Sequence, residues 1–242
     1  MLFNHFYKEL VCVIIACMKP IVGIFAHPDD EVLVGPGGTL AKFAREGRDT
    51  FLICVTDGDA GMNSSDDKRN LGEIRREELQ ASAKILGIKD VIFLGYKDGT
   101  LSNNLYHEIA EKITTILGEI DPEIIITMEH RGISGHLDHI AVSMISSYIY
   151  EHMHSIKEIW YYALTREDRK ALPPYYIYFP DGYKLDEIDK IVDITSVWDQ
   201  KVKALHQHKS QLHDMEKALN RLMNRPKEEG FFVVKRPTKD TE

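Results

Sequence analysis

Short apolar runs alternate with longer stretches of helical periodicity along most of this sequence, beginning at residue 20. The runs are rich in Ile, Val and Phe, as is typical of buried strands, whereas the stretches between them place apolar residues three or four positions apart. This alternation is the signature of βαβ units with right-handed crossovers. We therefore predict an α/β fold with a mostly parallel sheet. The predicted strands cover residues 20–25, 49–56, 90–94, 123–128, 156–164 and 191–194.

Helical patterns follow most of these strands. Gly35-Pro36-Gly37-Gly38 opens a helix that runs to about Glu46, and Gly87 is expected to end the helix that begins at Leu71. Further helices are expected over about 104–120, up to about 150, from 195 or 196 past 205, and over 211–222. The aromatic stretch 173–180 is expected to be an edge strand or a loop, and it is a candidate interface if the chain forms a homo-oligomer.

Two polar clusters each follow directly after an apolar run. Ala26-His27-Pro28-Asp29-Asp30-Glu31 comes after the first predicted strand, and Gly135-His136-Leu137-Asp138-His139 comes shortly after the fourth. The carboxyl ends of parallel strands lie at one edge of the sheet, where ligands bind in open α/β folds. We therefore expect the two clusters to meet at that edge.

The residue types in these clusters indicate a metal site. A histidine and two adjacent carboxylates are costly to bury unless something pairs with them, and a divalent metal is a suitable partner. Zinc prefers nitrogen and carboxylate ligands, and at catalytic sites it takes three protein ligands and one water. His27, Asp30 and His139 would supply such a set. Iron(II) stays open as the native metal, because availability as well as geometry decides which ion is bound.

Composition limits the classes of protein that remain. The chain has 242 residues, of which 43% are hydrophobic, so we expect one domain over residues 18–242. The net charge of −8 opposes nucleic-acid binding, which relies on clustered Lys and Arg. The three cysteines are odd in number and have no CxxC spacing, which favours a reducing cytoplasm over a disulfide framework. Composition therefore opposes a nucleic-acid partner and a disulfide framework.

The N-terminus requires a separate interpretation. Its apolar segment, Val11–Cys17, is too short to cross a bilayer, which takes roughly 20 apolar residues. The flanking residues carry little basic charge and no clear cleavage site, so an export signal is the less favoured reading. We expect residues 1–17 to be an extension outside the fold and no transmembrane segment to be present.

The combined motifs resemble those of the LmbE/PIG-L-like zinc-dependent N-acetylglucosamine de-N-acetylases over most of residues 20–211. The strongest element is the sequence at 26–31 together with His-x-Asp-His at 136–139. The chain departs from the family at Leu137, where proline is common, and at Thr127–His130, where the family often has Thr-His before a proline-containing loop. The departures leave the expected ligands in place and concern the rim that selects the substrate. Weaker agreements lie at 56–61, at Arg75 and Glu78, at 94–99, and at Trp198, Lys201 and 208–211.

The resemblance implies a Rossmann-like three-layer sandwich and a hydrolase. Such an enzyme removes the acetyl group from an N-acetylglucosamine-type amino sugar, or from its conjugate, by means of a metal-activated water. It implies that His27, Asp30 and His139 bind zinc and that Asp29 is the general base.

The resemblance also implies roles for residues around the metal. His136, as an imidazolium, would stabilise the oxyanion and protonate the departing amine, with Asp138 as its orienting partner. Arg75 and Asp98 match positions that contact sugar hydroxyls in similar enzymes, and His208 is expected to bind substrate with them.

Each motif also has a simpler structural interpretation. The first motif alone could be an Asx-Pro turn that begins a helix, Arg75 and Glu78 could form an ordinary i, i+3 helix pair, and Asp98 before Gly99 could serve only as a turn residue. His208 could be a capping or core residue. The pairing of both motifs favours the metal site over the first of these interpretations.

Other functions explain less of the sequence. A two-histidine, one-carboxylate iron triad is typical of jelly-roll oxygenases, which the βα alternation opposes. An Asp57-x-Asp59 glycosyltransferase site leaves the histidine clusters unexplained, and residues 35–38 lack the spacing of a dinucleotide site. A metal-dependent hydrolase of another amide and a non-catalytic sugar-binding relative remain as alternatives.

Overall fold

The computed structural model describes residues 18–170, 172 and 177–237. The expected extension at 1–17 lies outside these ranges, and so does the part of the aromatic stretch at 173–176. Strands β1 to β7 are Ile21–Phe25, Thr50–Thr56, Asp90–Tyr96, Ile124–Met128, Glu158–Ala163, Lys190–Asp193 and Glu228–Lys235. Helices α1 to α8 are Asp30–Leu33, Gly37–Arg45, Leu71–Leu86, Tyr106–Ile120, Leu137–His152, Arg166–Lys170, Trp198–Leu205 and Leu212–Met223.

The strands form one seven-stranded sheet in the order β3-β2-β1-β4-β5-β7-β6. The first five strands in this order are parallel, whereas β7 pairs antiparallel with both β5 and β6. The predicted α/β fold with a mostly parallel sheet is therefore confirmed. Chain order reverses between β1 and β4, and a crevice for ligands forms at such a switch point in open α/β sheets.

The central strands are buried because helices cover both faces of the sheet. Every residue of β1 and of β4 is buried, which explains why these strands have nearly continuous apolar sequences. One core cluster includes Leu40, Leu79, Leu205 and Met215, and so joins the sheet to α2, α3, α7 and α8. The other includes Ile113 and Val142, from α4 and α5. This three-layer arrangement holds the ends of β1 and β4 rigidly.

Local sequence signals explain the ends of α3. The side chain of Asn70 accepts hydrogen bonds from the backbone N–H groups of Gly72 and Glu73, at 2.9 and 3.3 Å, and so caps the helix at its start. Gly87 ends it with φ at +79°, as the sequence predicts for a C-cap. Helix α3 carries Arg75, so these caps help to place a residue of the candidate site.

The last strand, β7, is absent from the strands that the sequence predicts. Strand β7 inserts between β5 and β6, and Phe231 pairs with Tyr162 of β5. Its charged first residues and its glycine weaken the strand signal in the sequence. The strand is therefore defined by pairing with residues that lie far away in the chain.

A buried ion pair joins this last strand to the loop that follows α1. The Nζ of Lys201 lies 2.5 Å from the Oε1 of Glu229 and donates to the carbonyl oxygen of Gly35 at 3.0 Å. The Glu229 carboxylate also accepts the N–H groups of Gly38 and Thr39, at 2.9 and 2.7 Å, at the beginning of α2. These donors are thus used by a protein carboxylate, which opposes a dinucleotide site at residues 35–38.

No helix within the described ranges has both the length and the apolar character needed to cross a membrane.

We predict that breaking the Lys201–Glu229 pair destabilises the fold strongly. Both side chains are almost fully buried, so Lys201→Met leaves an uncompensated carboxylate and should lower the free energy of unfolding by about 3–5 kcal/mol. Urea denaturation would measure the loss. The exposed pair Lys112–Glu108 is the control, and Lys112→Met should change stability little. Equal effects of the two substitutions would contradict this account.

Candidate metal centre

The two polar clusters meet at the crevice between β1 and β4. These strands are neighbours in the sheet, so the turn after β1 carries His27, Asp29 and Asp30 to the place where His136 and His139 enter from the beginning of α5. All five residues line one cavity of about 270 Å³. The parallel sheet therefore brings the two polar clusters together at one edge, as the sequence predicts.

Three of these residues bring donor atoms within contact distance of one another. The Nδ1 of His27 lies 3.0 Å from the Nε2 of His139 and 3.5 Å from the Oδ2 of Asp30. The Nε2 of His139 lies 3.2 Å from the Oδ1 of Asp30. The predicted ligand set is thus assembled around one point.

The outer contacts of the two rings direct their lone pairs towards this point. The Nδ1 of His139 lies 2.9 Å from the carbonyl oxygen of Gly132, which can only accept, so the proton sits on Nδ1 and the lone pair on Nε2. The Nε2 of His27 lies 3.0 Å from Asp98 and 3.3 Å from Asp138, which places its proton on Nε2 and its lone pair on Nδ1. In these tautomers two lone pairs face each other beside a carboxylate, so either a metal cation or an additional proton must lie between them.

The spacing of the donors fits zinc. Ligands at 2.0–2.1 Å from a tetrahedral zinc ion lie about 3.3 Å from one another. The two ring nitrogens lie 3.0 Å apart, and each lies 3.2 or 3.5 Å from one of the two carboxylate oxygens of Asp30, so all three residues are close enough to share one ion. His136 adds a third imidazole, with one of its ring nitrogens within 4.8 Å of donor atoms of His27 and His139. Imidazole and carboxylate suit iron(II) as well as zinc.

The charges of the site favour binding of a cation. Burial alone would lower the pKa of His27, but the charge of Asp30 and the hydrogen bonds that the ring donates to Asp138, Asp30 and Asp98 outweigh burial and raise that pKa well above its usual value. Burial opposes ionisation of Asp30, but the neighbouring His139 and His27 hold the pKa of its carboxyl well below the usual range. The site therefore combines an ionised carboxylate with an imidazole, His27, whose surroundings favour positive charge.

Asp29 lies beside this cluster but has a different partner. Its Oδ2 lies 2.9 Å from the Nη2 of Arg75, and Arg75 also donates through Nη1 to the carbonyl oxygen of Gly58 at 2.7 Å. Gly58 has φ at +65°, and a side chain there would collide with the Arg75 guanidinium. Burial raises the pKa of Asp29, although Arg75 opposes the shift. A carboxylate with a raised pKa is suited to accept a proton near neutral pH.

His136 has surroundings that disfavour the imidazolium form. Burial, followed by the charges of His27 and His139, lowers its pKa to about 4. Its Nδ1 accepts the backbone N–H of Asp138 at 3.1 Å, so the neutral ring carries its proton on Nε2. The surroundings therefore differ from the prediction that His136 acts as a positively charged acid, and they make it a neutral hydrogen-bond donor.

Asp138 and Asp98 have contacts beyond their predicted roles. The Asp138 carboxylate accepts the N–H groups of Gly99 and Leu101, at 2.8 and 3.1 Å, and faces His27. Its backbone N–H also donates to the Nδ1 of His136 at 3.1 Å. Asp98 lines the cavity, as expected for a sugar contact, but it too lies against His27. Both carboxylates thus hold a candidate metal ligand.

His208 does not line the cavity in the described structure. It is fully buried, and its Nε2 lies 2.8 Å from the Oε1 of Glu31, which also accepts the hydroxyl of Ser82 at 2.5 Å. Glu31 directly follows Asp29 and Asp30 in the chain, so this contact fixes the same motif from the protein interior. His208 therefore supports the first motif through Glu31, instead of contacting the substrate as the sequence predicts. The sequence interpretation did not assign Glu31 as the partner of His208. The position of Glu31 within the first motif was the one sequence feature that indicated a role for it.

The simpler interpretation of Arg75 and Glu78 as a helix pair is also replaced. Arg75 pairs with Asp29, whereas the Glu78 carboxylate accepts the N–H and the hydroxyl of Ser210, both at 2.7 Å. The alternative glycosyltransferase residues have protein partners as well. Asp57 pairs with Arg76, and Asp59 accepts the N–H of Asp98 at 3.0 Å.

Comparisons of sequence agree with this geometry. The profile of the family described as PIG-L, GlcNAc-PI de-N-acetylase, matches residues 22–150. A probable N-acetyl-α-D-glucosaminyl L-malate deacetylase 2 from Bacillus cereus is 30% identical over 203 residues, which cover 81% of this chain and 86% of that protein. A 1D-myo-inositol 2-acetamido-2-deoxy-α-D-glucopyranoside deacetylase from Nocardioides is 31% identical over 156 residues. That match covers 52% of this chain and 51% of the relative, so this chain spans about half the length of that relative.

Solved structures share the fold. The N,N'-diacetylchitobiose deacetylase from Pyrococcus horikoshii is 22% identical with a TM-score of 0.66, and the match covers 99% of this chain and 97% of that chain. The 4-carboxy-2-hydroxymuconate hydratase from Pseudomonas putida is 19% identical with a TM-score of 0.68, and the match covers 92% and 98%. The same fold thus occurs in a deacetylase and in a hydratase, so the reaction must be argued from the site.

We predict that His139→Ala lowers the zinc content of the reconstituted protein from about one ion per chain to a small fraction of that value, because one of three ligands is lost. Elemental analysis after gel filtration would measure zinc. His152→Ala is the matched control, since His152 is exposed and its Nδ1 lies 2.8 Å from the carbonyl oxygen of Tyr148. Equal zinc content in the two variants would show that the cation lies elsewhere.

Proposed function

The chain belongs to the PIG-L family of GlcNAc-PI de-N-acetylases, and from this membership and the geometry of the cavity we propose that it is a metal-dependent N-deacetylase. The substrate is an N-acetylglucosamine-type amino sugar or its conjugate, and the products are acetate and the free amine. The observation that carries the proposal is a buried carboxylate, Asp29, which Arg75 holds at 2.9 Å in the same cavity as a three-donor cation site. We assign residues 18–242 to one domain that performs this reaction in the cytoplasm.

We propose zinc as the metal held by His27, Asp30 and His139. When bound, such an ion lowers the pKa of a water molecule to about 7 and polarises a carbonyl oxygen. Asp98 and Asp138 hold the His27 ring in the tautomer that directs Nδ1 to the metal. Asp30 supplies negative charge, which makes the site selective for a cation over a neutral ligand.

Asp29 is the proposed general base. It takes a proton from the attacking water as the new carbon–oxygen bond forms at the acetyl carbonyl. The Arg75 guanidinium holds one carboxylate oxygen at 2.9 Å, so the side chain keeps one orientation while the proton is transferred. The same proton can then pass from Asp29 to the departing amine. This route does not require a positively charged His136.

His136 is the proposed donor to the oxyanion. Its Nδ1 is already an acceptor for the backbone N–H of Asp138, so Nε2 carries the proton that can be donated. A neutral donor placed in advance stabilises negative charge that develops in the transition state. We keep Arg75 and Asp98 as residues that contact the sugar, because both line the cavity in addition to their protein contacts.

The cavity provides more space and more chemistry than the acetyl group needs. Its wall includes the apolar side chains of Leu33, Val34 and Phe179, and it also includes Asp214 and Lys217. These residues can contact the group attached to the amino sugar, which is malate in the name of one relative and inositol in the name of another. A panel of substrates should therefore vary this group.

We predict that Asp29→Asn keeps the metal and loses at least about 100-fold in turnover, since the amide cannot accept the proton. Release of primary amine would be measured with N-acetylglucosaminyl malate, N-acetylglucosaminyl inositol and diacetylchitobiose, using zinc-loaded protein whose metal content is determined in parallel.

Unchanged turnover in Asp29→Asn would remove Asp29 as the base. No amine release from any of the three substrates by the wild type, with zinc bound, would overturn the amino-sugar proposal and leave another amide as the substrate. Asp66→Asn serves as the control, because Asp66 belongs to the polar loop between β2 and α3 and does not line the cavity in the described structure.

A further inference from the structure

Glu129 is a buried carboxylate that directly follows β4, outside the motifs that define the family resemblance. Only 3% of its surface is exposed. It precedes the loop that leads to His136 and His139, and it stands at one of the positions where the chain departs from the family pattern. A carboxylate buried at this edge of the sheet needs hydrogen-bond partners, and its partners lie in the loop that leads to the candidate metal ligands.

Three consecutive backbone N–H groups of the loop donate hydrogen bonds to Glu129. Arg131 donates to the Oε2 of Glu129 at 2.9 Å, Ile133 donates to Oε1 at 3.2 Å, and Gly132 donates to the backbone carbonyl of Glu129 at 2.8 Å. Successive N–H groups can form a concave site for an anion, and two of these three donate to the carboxylate. In this protein, the anion is a side chain of the loop itself.

The loop has a backbone conformation that needs such support. Ile133 has φ at +62° and ψ at −60°, a conformation that resembles the rare γ-turn and that a β-branched residue seldom adopts. Gly132 has φ at +67°, and a Cβ on it would lie 2.9 Å from the Cβ of His139. The Glu129 carboxylate therefore compensates for a strained turn that packs against a candidate metal ligand.

The turn acts on that ligand through a single carbonyl group. The oxygen of Gly132 accepts the Nδ1 proton of His139 at 2.9 Å, and this contact leaves the Nε2 lone pair directed at His27 and Asp30. If the Gly132 carbonyl rotates away, His139 loses the contact that selects its tautomer. The geometry thus links the Glu129 carboxylate to the metal site through one turn and one hydrogen bond.

We propose that Glu129 is a positioning residue for His139. By accepting the N–H groups of the turn, it holds the Gly132 carbonyl where it fixes the tautomer and orientation of the His139 ring for metal binding. This inference rests on His139 being a metal ligand, but it does not depend on the identity of the substrate.

Tyr183 completes the surroundings of the carboxylate. Its hydroxyl donates to the Oε2 of Glu129 at 2.8 Å, and the Arg131 guanidinium lies 3.9 Å from the centre of the Tyr183 ring. Tyr183 is itself anchored beside β5, since its N–H donates to the carbonyl oxygen of Leu164 at 2.9 Å. The region after β5 therefore helps to orient Glu129, and Tyr183→Phe removes one of its contacts without removing the charge.

The decisive variant is Glu129→Gln. The amide replaces one of the two acceptor oxygens with a donor, so one loop N–H faces a donor instead of an acceptor. We expect zinc affinity, measured by competition with a chromophoric chelator, to fall about tenfold or more. We expect the ¹⁵N spectrum of the apoprotein to show His139 changing from a single Nδ1-protonated tautomer to a mixture. Glu158→Gln on the neighbouring strand is the matched control, because the Glu158 carboxylate accepts a hydrogen bond from the Trp160 indole. This substitution should change neither the zinc affinity nor the tautomer of His139.

Zinc affinity and a His139 tautomer that stay at their wild-type values in Glu129→Gln would overturn the proposal. An equal loss of zinc affinity in Glu158→Gln would also overturn it, since the effect would then be general. If Glu129→Gln does not fold, Tyr183→Phe is the variant that tests the proposal. We expect it to lower zinc affinity by a smaller factor, and wild-type zinc affinity in this variant would contradict the positioning role of Glu129. The assays use zinc and no substrate, so failure of the deacetylase proposal would leave them interpretable.

Discussion

The close approach of two imidazole rings and one carboxylate is the constraint on which the rest of the site depends. The Nδ1 of His27 and the Nε2 of His139 lie 3.0 Å apart, and the outer contacts of each ring place protons on the opposite nitrogens. Two lone pairs that face each other beside a buried carboxylate repel one another unless a cation lies between them. The arrangement is therefore stable only as a metal site or as a protonated one, and the spacing of its donors suits a tetrahedral ion.

The scaffold maintains this arrangement from two sides. On the side of β1, Asp98 and Asp138 hold His27, and Asp138 is in turn held by backbone N–H groups of the loop after β3. On the side of β4, the turn at Gly132 holds His139. The order of the sheet makes both sides possible, because β1 and β4 are adjacent although about a hundred residues separate them in the chain. Hydrogen bonds to the outer side of a metal ligand orient its ring and tune its basicity.

Two adjacent carboxylates acquire opposite properties from their neighbours. Asp29 and Asp30 are both buried, yet the pKa of Asp29 is raised by burial while the pKa of Asp30 is held low by His139 and His27. The difference follows from direction, because consecutive residues at the beginning of a helix point to different surroundings. One carboxylate is thereby suited to bind a cation and the other to accept a proton. Environments that separate the pKa values of neighbouring groups are typical of sites that perform acid–base chemistry.

The sequence by itself determined the α/β alternation, the helix end at Gly87 and the meeting of the His27 and His139 clusters, because each follows from local periodicity or from the rule that parallel strands end at one edge. It did not determine β7, whose pairing with β5 is a contact between distant residues. Nor did it determine that Asp138 faces His27, that His208 pairs with Glu31 in the interior, or that Glu129 receives the N–H groups of the strained turn. Residue spacing indicates which groups reach the same edge of the sheet. Only tertiary packing decides which of them touch, because a hydrogen bond depends on distances of a few tenths of an ångström and on the direction of each donor.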